Sequence, residues 1–391
     1  MSDITIKVNK ILIYIITIAF FICVVWRSNV VLAALVLLIP CVALVINNLK
    51  NLNLIMPKAT NMKYLYAIPI CISLFCVIFS EYLDTYNLSF LCIFVITYTL
   101  TKIPDRTNIN SIANAWLIVG LINSLGIMMG LVEINFFNTN YFSDTLYNNP
   151  YSSAQKNSVF GFLFNYNQAA YLLVCSLALI KFQNIFSYKY EIFIQGLFLS
   201  ALIITGSRAA LMYILLLAIL LLFFQKNKKI ALGLIFVLSF FYIFLTNIII
   251  APHDSYSVGS HHYRYLLFST HGYDLVLGAY GYFKTQALEA IFNNGFFPYG
   301  IKNFVSEYGF APHNMIAGNI LGGGYLFAIS ILLIMFLLLK DFMIIYYSGI
   351  NHLTASGIIL FFVESVNWDF SHAMYFWIVL FLIPLFKEKF S

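Results

Sequence analysis

Charged and turn-forming residues cut this chain into a succession of apolar runs, at 11–26, 30–46, 64–80, 88–101, 112–132, 159–180, 192–205, 209–224, 230–250, 315–339, 342–363 and 373–386. A helix needs about 20 apolar residues to cross the hydrocarbon of a bilayer, and several runs lie near the lower limit of that length. The pattern predicts an all-α polytopic membrane protein with about twelve transmembrane helices, folded as a single integral membrane domain over 1–391. Two connections stand out by length, 133–158 and 251–314, the second between the ninth and tenth runs. Long connections in compact proteins usually carry function.

Composition strengthens this reading. Hydrophobic residues make up 62% of the 391 and charged residues only 9%, with a mean hydropathy of +0.89. An ordinary soluble domain has roughly 45–50% apolar and about 25% charged residues, so a water-soluble globule is excluded, as are disordered and collagen-like chains. The six cysteines, Cys23, Cys41, Cys71, Cys76, Cys92 and Cys175, fall inside apolar runs with no spacing that suits a metal or a disulfide framework. They read as small packing residues. Lys7 and Lys10 precede the first run as in a signal peptide, but Arg27, Ser28 and Asn29 follow without a small-residue cleavage pattern, so the run reads as a retained span.

Charge gives the expected orientation. With both termini on the cytoplasmic side, 15 of the 21 cations and five of the 15 acids fall on inner connections, for a net +10. Arg27, Lys156, Arg208, Arg264, Lys284 and Lys302 fall outside with ten acids, for a net −4. This is the positive-inside pattern of a multi-pass membrane protein, and it makes the Lys226–Lys229 run an inner-face anchor with no nucleic-acid partner. Both long connections then face outward, which in the family resembled below makes them periplasmic loops.

Three outward features carry candidate chemistry. At Thr205-Gly206-Ser207-Arg208-Ala209-Ala210 an arginine sits at the outer rim where a helix begins. Glycine permits a tight reversal, and arginine beside a helix N-terminus suits a phosphate, although an interfacial arginine also snorkels. The long connection and its end hold five of the seven histidines, His253, His261, His262, His271 and His313, together with Arg264. A histidine can serve as a general base for an alcohol nucleophile near neutral pH. The same stretch is dense in aromatic rings, which suit a headgroup layer or stacking on sugars. Tyr282 to Phe292 reads as an amphipathic stretch able to lie flat on a membrane.

Together these elements resemble the bacterial O-antigen polymerase and O-antigen ligase superfamily, polytopic enzymes of GT-C-like architecture. The resemblance rests on Gly206-Ser207-Arg208-Ala209-Ala210 opening a helix, on the 251–314 loop with Arg264 near its start, and on His313-Asn314 ahead of Gly322-Gly323-Gly324. Phe164-Asn165-Tyr166-Asn167-Gln168-Ala169-Ala170 is similar to the family's N-x-N-x-x-A element, and the pattern covers about residues 160–330.

The resemblance implies a metal-independent, inverting glycosyltransferase with no cofactor. Its substrate would be an undecaprenyl-pyrophosphate-linked oligosaccharide, transferred to a sugar hydroxyl at the periplasmic face in lipopolysaccharide biosynthesis. Catalytic roles would fall to Arg208 and Arg264 on the pyrophosphate and to His313 on the acceptor hydroxyl, with Asn314, Ser207 and Asn167 binding substrate. Membrane lipids and a chain-length regulator protein would be its partners. Met315-Ile316-Ala317 after the His-Asn pair favours a polymerase, which extends another lipid-linked repeat unit. A ligase acting on lipid A-core is the alternative, and a polysaccharide flippase or transporter a further one. Against the transporter stand runs nearly free of mid-span charge and halves that do not repeat.

Overall fold

The computed structural model describes residues 3–25, 30–47, 60–79, 85–102, 106–131, 166–252, 273–277, 287–293, 297–308, 312, 314–367 and 374–390. The described residues are helical apart from turns and one two-stranded ladder. Helices α1 Asp3–Val25, α2 Val30–Asn47, α3 Thr60–Phe79, α4 Thr85–Lys102 and α5 Arg106–Leu131 form the first group. After them come α6 Tyr166–Leu179, α7 Tyr188–Ile204, α8 Arg208–Phe223 and α9 Lys228–Asn247. The strands β1 Ile248–Pro252 and β2 Tyr273–Leu277 follow, then a short helix α10 at 287–293 and α11 Ile301–Tyr308. The chain closes with α12 Met315–Ser348, which is broken by a kink at Gly324 (φ 79°, ψ 176°), α13 His352–Glu364, α14 Met374–Phe381 and α15 Ile383–Phe390.

Two stretches among the described residues, Ile109–Met129 in α5 and Met315–Ser348, are long and apolar enough to cross a membrane. The other apolar helices, among them Arg208–Phe223 and His352–Glu364, are shorter.

Element boundaries differ from the sequence pattern in places, each for a local reason. The charged pair Lys340-Asp341 does not end a helix: α12 runs through it to Ser348 and stops at Gly349, whose φ of 104° only glycine adopts freely. Asp341 is accommodated because Lys387 Nζ lies 2.7 Å from its Oδ1. Helix α9 ends at Asn247, three residues short of its apolar run, because Ile248-Ile249-Ile250 continue as β1. β-branched residues favour that extended geometry. β1 and β2 pair antiparallel from Ile248 opposite Leu277 to Pro252 opposite Tyr273. Of the amphipathic stretch 282–292, residues 287–292 lie in the short helix α10. The 133–158 connection lies outside the described residues.

The core is built largely of rings. Phe90 and Phe94 of α4 pack edge-on to Trp377 of α14, with Phe327 of α12 against Phe90 and Phe381 against Phe94. Trp116, Trp377, Phe90, Phe94 and Phe327 are fully buried. A second, smaller cluster joins Ala287, Ala290 and Ile291 of α10 and Phe304 of α11 to Ala317 and Leu321 of α12. It seats the described part of the long connection on the first turns of α12.

Close helix approach sets the position of the site. A Cβ added at Gly357 of α13 would come within 2.9 Å of the Ala178 Cβ of α6, and one at Gly120 of α5 within 2.6 Å of the Ser176 hydroxyl. Ser176 in turn donates to the Trp116 carbonyl at 2.9 Å. These contacts hold α6 between α5 and α13. Its N-terminus thereby stands beside that of α8.

Candidate functional site

The turn between α7 and α8 is shaped by four residues. Thr205 bonds its hydroxyl to the Leu202 carbonyl at 2.7 Å and closes α7. Gly206 takes φ +62°, the left-handed conformation that reverses the chain. Ser207 is the N-cap of α8, accepting from the Ala209 amide at 3.2 Å. Arg208 is then the first helical residue, half-buried, at a helix end whose leading N–H groups carry a partial positive charge.

Two of the residues expected in the site meet directly. The Ser207 hydroxyl donates to Asn167 Oδ1 at 2.7 Å, with both side chains buried. Asn167 lies in the first turn of α6, so the N-termini of α6 and α8 are pinned side by side. Beside it, Gln168 Oε1 is buried with no hydrogen-bond partner among the described residues.

Asn314 is placed as a structural clasp. Its Oδ1 accepts from the Ala317 amide at 3.0 Å, capping α12, and its Nδ2 donates to the Val366 carbonyl at 2.8 Å. The Met315 amide bonds the Ser365 carbonyl at 3.1 Å. The start of α12 is therefore stitched to the turn that follows α13. His313 and Arg264 lie outside the described residues. Pro252 and Tyr273, one register pair of the ladder, bound the segment that contains Arg264.

The structure adds a group that the sequence reading passed over. Glu364, the last residue of α13, is only 3% exposed, and the Tyr242 hydroxyl of α9 donates to its Oε1. The Tyr171 hydroxyl of α6 also bonds this carboxylate, and the Arg208 guanidinium acts on it electrostatically. Tyr171 lies one turn after Asn167 on the same face of α6, so one helix face touches both Ser207 and Glu364. The signal of Glu364 in the sequence is an acid ending an apolar run, a group that must be paired or protonated wherever it is buried.

Arg208, Ser207, Asn167, Asn314, Tyr171, Tyr242 and Glu364 thus gather where α6, α8, α9, α12 and α13 meet. A cation beside two adjacent helix N-termini is an arrangement that suits an anionic oxygen group. On the second cluster, Tyr299 donates its hydroxyl to the Glu307 carboxylate, and that bond pushes its phenol up to about 12.

No protein-family model matches the chain, and no curated protein matches its sequence.

Proposed function

We propose that the chain is a multi-pass protein of the bacterial inner membrane, with about twelve spans in a GT-C-like arrangement and both termini cytoplasmic. In this reading it polymerises O-antigen, transferring an undecaprenyl-pyrophosphate-linked glycan to a sugar hydroxyl of another lipid-linked repeat unit. The observation that carries the reading is the convergence of Arg208, Ser207, Asn167 and Asn314 at one end of the bundle. These are residues the sequence resemblance had singled out from segments far apart in the chain.

Sidedness is supported by who bonds whom. The ion pairs Lys181–Glu191 and Lys387–Asp341 each join residues of the cytoplasmic side, as do Asn47 with Asn9 at 2.8 Å and Asn114 with Asn184 at 2.7 Å. Glu364 with Tyr242, and Asn87 with the Gly322 carbonyl at 2.7 Å, join periplasmic ends. A lipid surround is supported by α9, which turns Phe236, Phe240 and Phe244 outward in a stripe while Tyr242 faces in.

The chemistry asks little of the protein. The leaving group is a pyrophosphate, so catalysis requires cations where its charge develops and a base on the incoming hydroxyl. Arg208 and the leading amides of α8 serve the first need together with Arg264, and His313 serves the second. Attack at the anomeric carbon opposite the pyrophosphate inverts its configuration. No metal takes part in this scheme.

The test is polymer formation by the purified protein from lipid-linked repeat units, followed on gels. Wild type should yield a ladder, while Arg208→Ala and His313→Ala should yield none at equal protein level. A full ladder from Arg208→Ala refutes the reading. In cells, deletion should leave lipid A-core capped by one repeat unit; bare core would assign the ligase reaction in its place.

A further inference from the structure

Gly324 divides α12 in two. Its φ of 79° and ψ of 176° fall in a region that only glycine occupies freely, so the ladder that starts at Met315 stops there and a second one runs on to Ser348. A helix that stops leaves its last carbonyls off the ladder, and buried carbonyls must then find donors elsewhere. Here the donors come from two sides. The Gly300 amide, just ahead of α11, bonds the Leu321 carbonyl at 2.8 Å, and Asn87 Nδ2 of α4 bonds the Gly322 carbonyl at 2.7 Å. Cys76 Sγ of α3 lies 3.9 Å from that same oxygen. One turn along α4 from Asn87, Phe90 packs edge-on against Phe327, with ring centroids 4.9 Å apart. Glycine at 323 makes room for that ring, since a Cβ there would meet Phe327 at 2.4 Å. Residues three apart share a helix face, so one face of α4 touches α12 on both sides of the break. The contact is polar at Gly322 and aromatic at Phe327. Asn87, Phe90, Phe327 and the glycines 322 to 324 are all buried.

The outer piece of α12, Met315 to Gly323, is therefore tied at both ends. At its start Asn314 Nδ2 bonds the Val366 carbonyl at 2.8 Å and the Met315 amide bonds the Ser365 carbonyl at 3.1 Å. At its far end stands Asn87. We propose that Asn87 is a positioning residue: it splints the break in α12, sets the angle at which the outer piece leaves the bundle, and so brings Asn314 to the turn after α13. A helix of so few turns is marginal by itself, so its direction follows its ties. The splint also carries α10 and α11, which pack on this piece through Ala317 and Leu321. In sequence His313 directly precedes Asn314, and a tie at Asn87 thereby bears on the residue assigned to the acceptor hydroxyl. That catalytic consequence rests on the proposed glycan transfer; the splinting of α12 does not.

The experiment uses the purified full-length protein and reads two quantities. One is amide hydrogen exchange, followed by mass spectrometry on peptides from either side of Gly324. The other is the kcat and KM of polymerisation. Asn87→Leu removes the donor at nearly constant side-chain volume. It should speed exchange over 315–323 about fivefold, the factor that corresponds to one neutral hydrogen bond, and leave 328–348 unchanged. It should also lower kcat by a similar factor and leave KM within about twofold, since Asn87 acts through α12. Asn87→Gln is larger but keeps an amide donor, so both quantities should stay closer to wild type than in Asn87→Leu. A role in packing alone predicts the reverse order, with the larger side chain the more harmful. Gly324→Ala forces a Cβ onto a backbone conformation that suits only glycine. It should speed exchange over the same outer peptide, so it tests the arrangement even if Asn87→Leu fails to accumulate. Unchanged exchange over 315–323 in Asn87→Leu, or in Gly324→Ala where the former is absent, overturns the splint, as does an equal rise on both sides of Gly324. Faster exchange with kcat at the wild-type value overturns the consequence for catalysis. A full polymer ladder from both Arg208→Ala and His313→Ala overturns the glycan-transfer reading instead, and leaves the exchange result standing.

Discussion

The bond between Ser207 and Asn167 holds the N-termini of α6 and α8 together, and a double-mutant cycle measures it. Ser207→Ala removes two interactions at once: the cap on the Ala209 amide and the donor to Asn167 Oδ1. A lost N-cap costs about 1 kcal/mol. Leaving the amide oxygen of Asn167, itself 9% exposed, without its partner costs about 1 kcal/mol more. Ser207→Ala should therefore destabilise the protein by about 2 kcal/mol. Asn167→Ala should cost about 1 kcal/mol, since Ser207 keeps its cap. The shared bond is lost only once in the double variant, so its cost should fall about 1 kcal/mol below the sum of the single effects. The assay is equilibrium unfolding in mixed micelles followed by tryptophan fluorescence, because Trp116 and Trp377 are fully buried and report loss of the core. Single effects that add to within about 0.3 kcal/mol would refute the coupling, and with it the claim that this bond pins the two helix ends.

Gly357→Leu should be among the most damaging single changes: even a Cβ there meets Ala178 at 2.9 Å, so a full side chain must push α13 off α6. A loss of about 3 kcal/mol in the same unfolding assay is expected, with Glu364 displaced from Tyr171. Lys387→Ala leaves Asp341 without its 2.7 Å partner, but both side chains reach solvent, at 37% and 20% exposure. The cost should stay below about 1 kcal/mol and shrink with added salt. Gly349→Ala strains a residue at φ 104° that has open space around it, so thermal unfolding should report about 1 kcal/mol of backbone cost and no steric excess.

What the sequence disclosed and what it hid divide along contact distance. The Thr205–Arg208 turn was legible because its signals are local: glycine for the reversal, serine for the cap, and an apolar run behind them. The end of α12 was not, because the charge at Asp341 is neutralised by Lys387, which comes from a helix three elements further on. Glu364 escaped notice for the same reason, since its partners Tyr171, Arg208 and Tyr242 come from three other helices. Asn314 reads in the sequence as a substrate-binding residue. The structure gives its amide two backbone partners, one of them on the turn after α13, which no spacing in the chain reveals.

The pairing of Pro252 with Tyr273 gives residues 253–272 a common point of departure and return. Closing a chain segment between two fixed ends costs free energy that grows only with the logarithm of its length, about 0.6 kcal/mol for each doubling. Insertions and deletions between those two residues therefore leave the ladder and the helix before it nearly indifferent. Arg264 and four histidines, His253, His261, His262 and His271, lie inside that interval, whereas Arg208 is fixed by the bundle. Sequence change can thus accumulate in the first region while the turn at Arg208 stays fixed by its packing in the second, a separation of variable and constant parts within a single polypeptide.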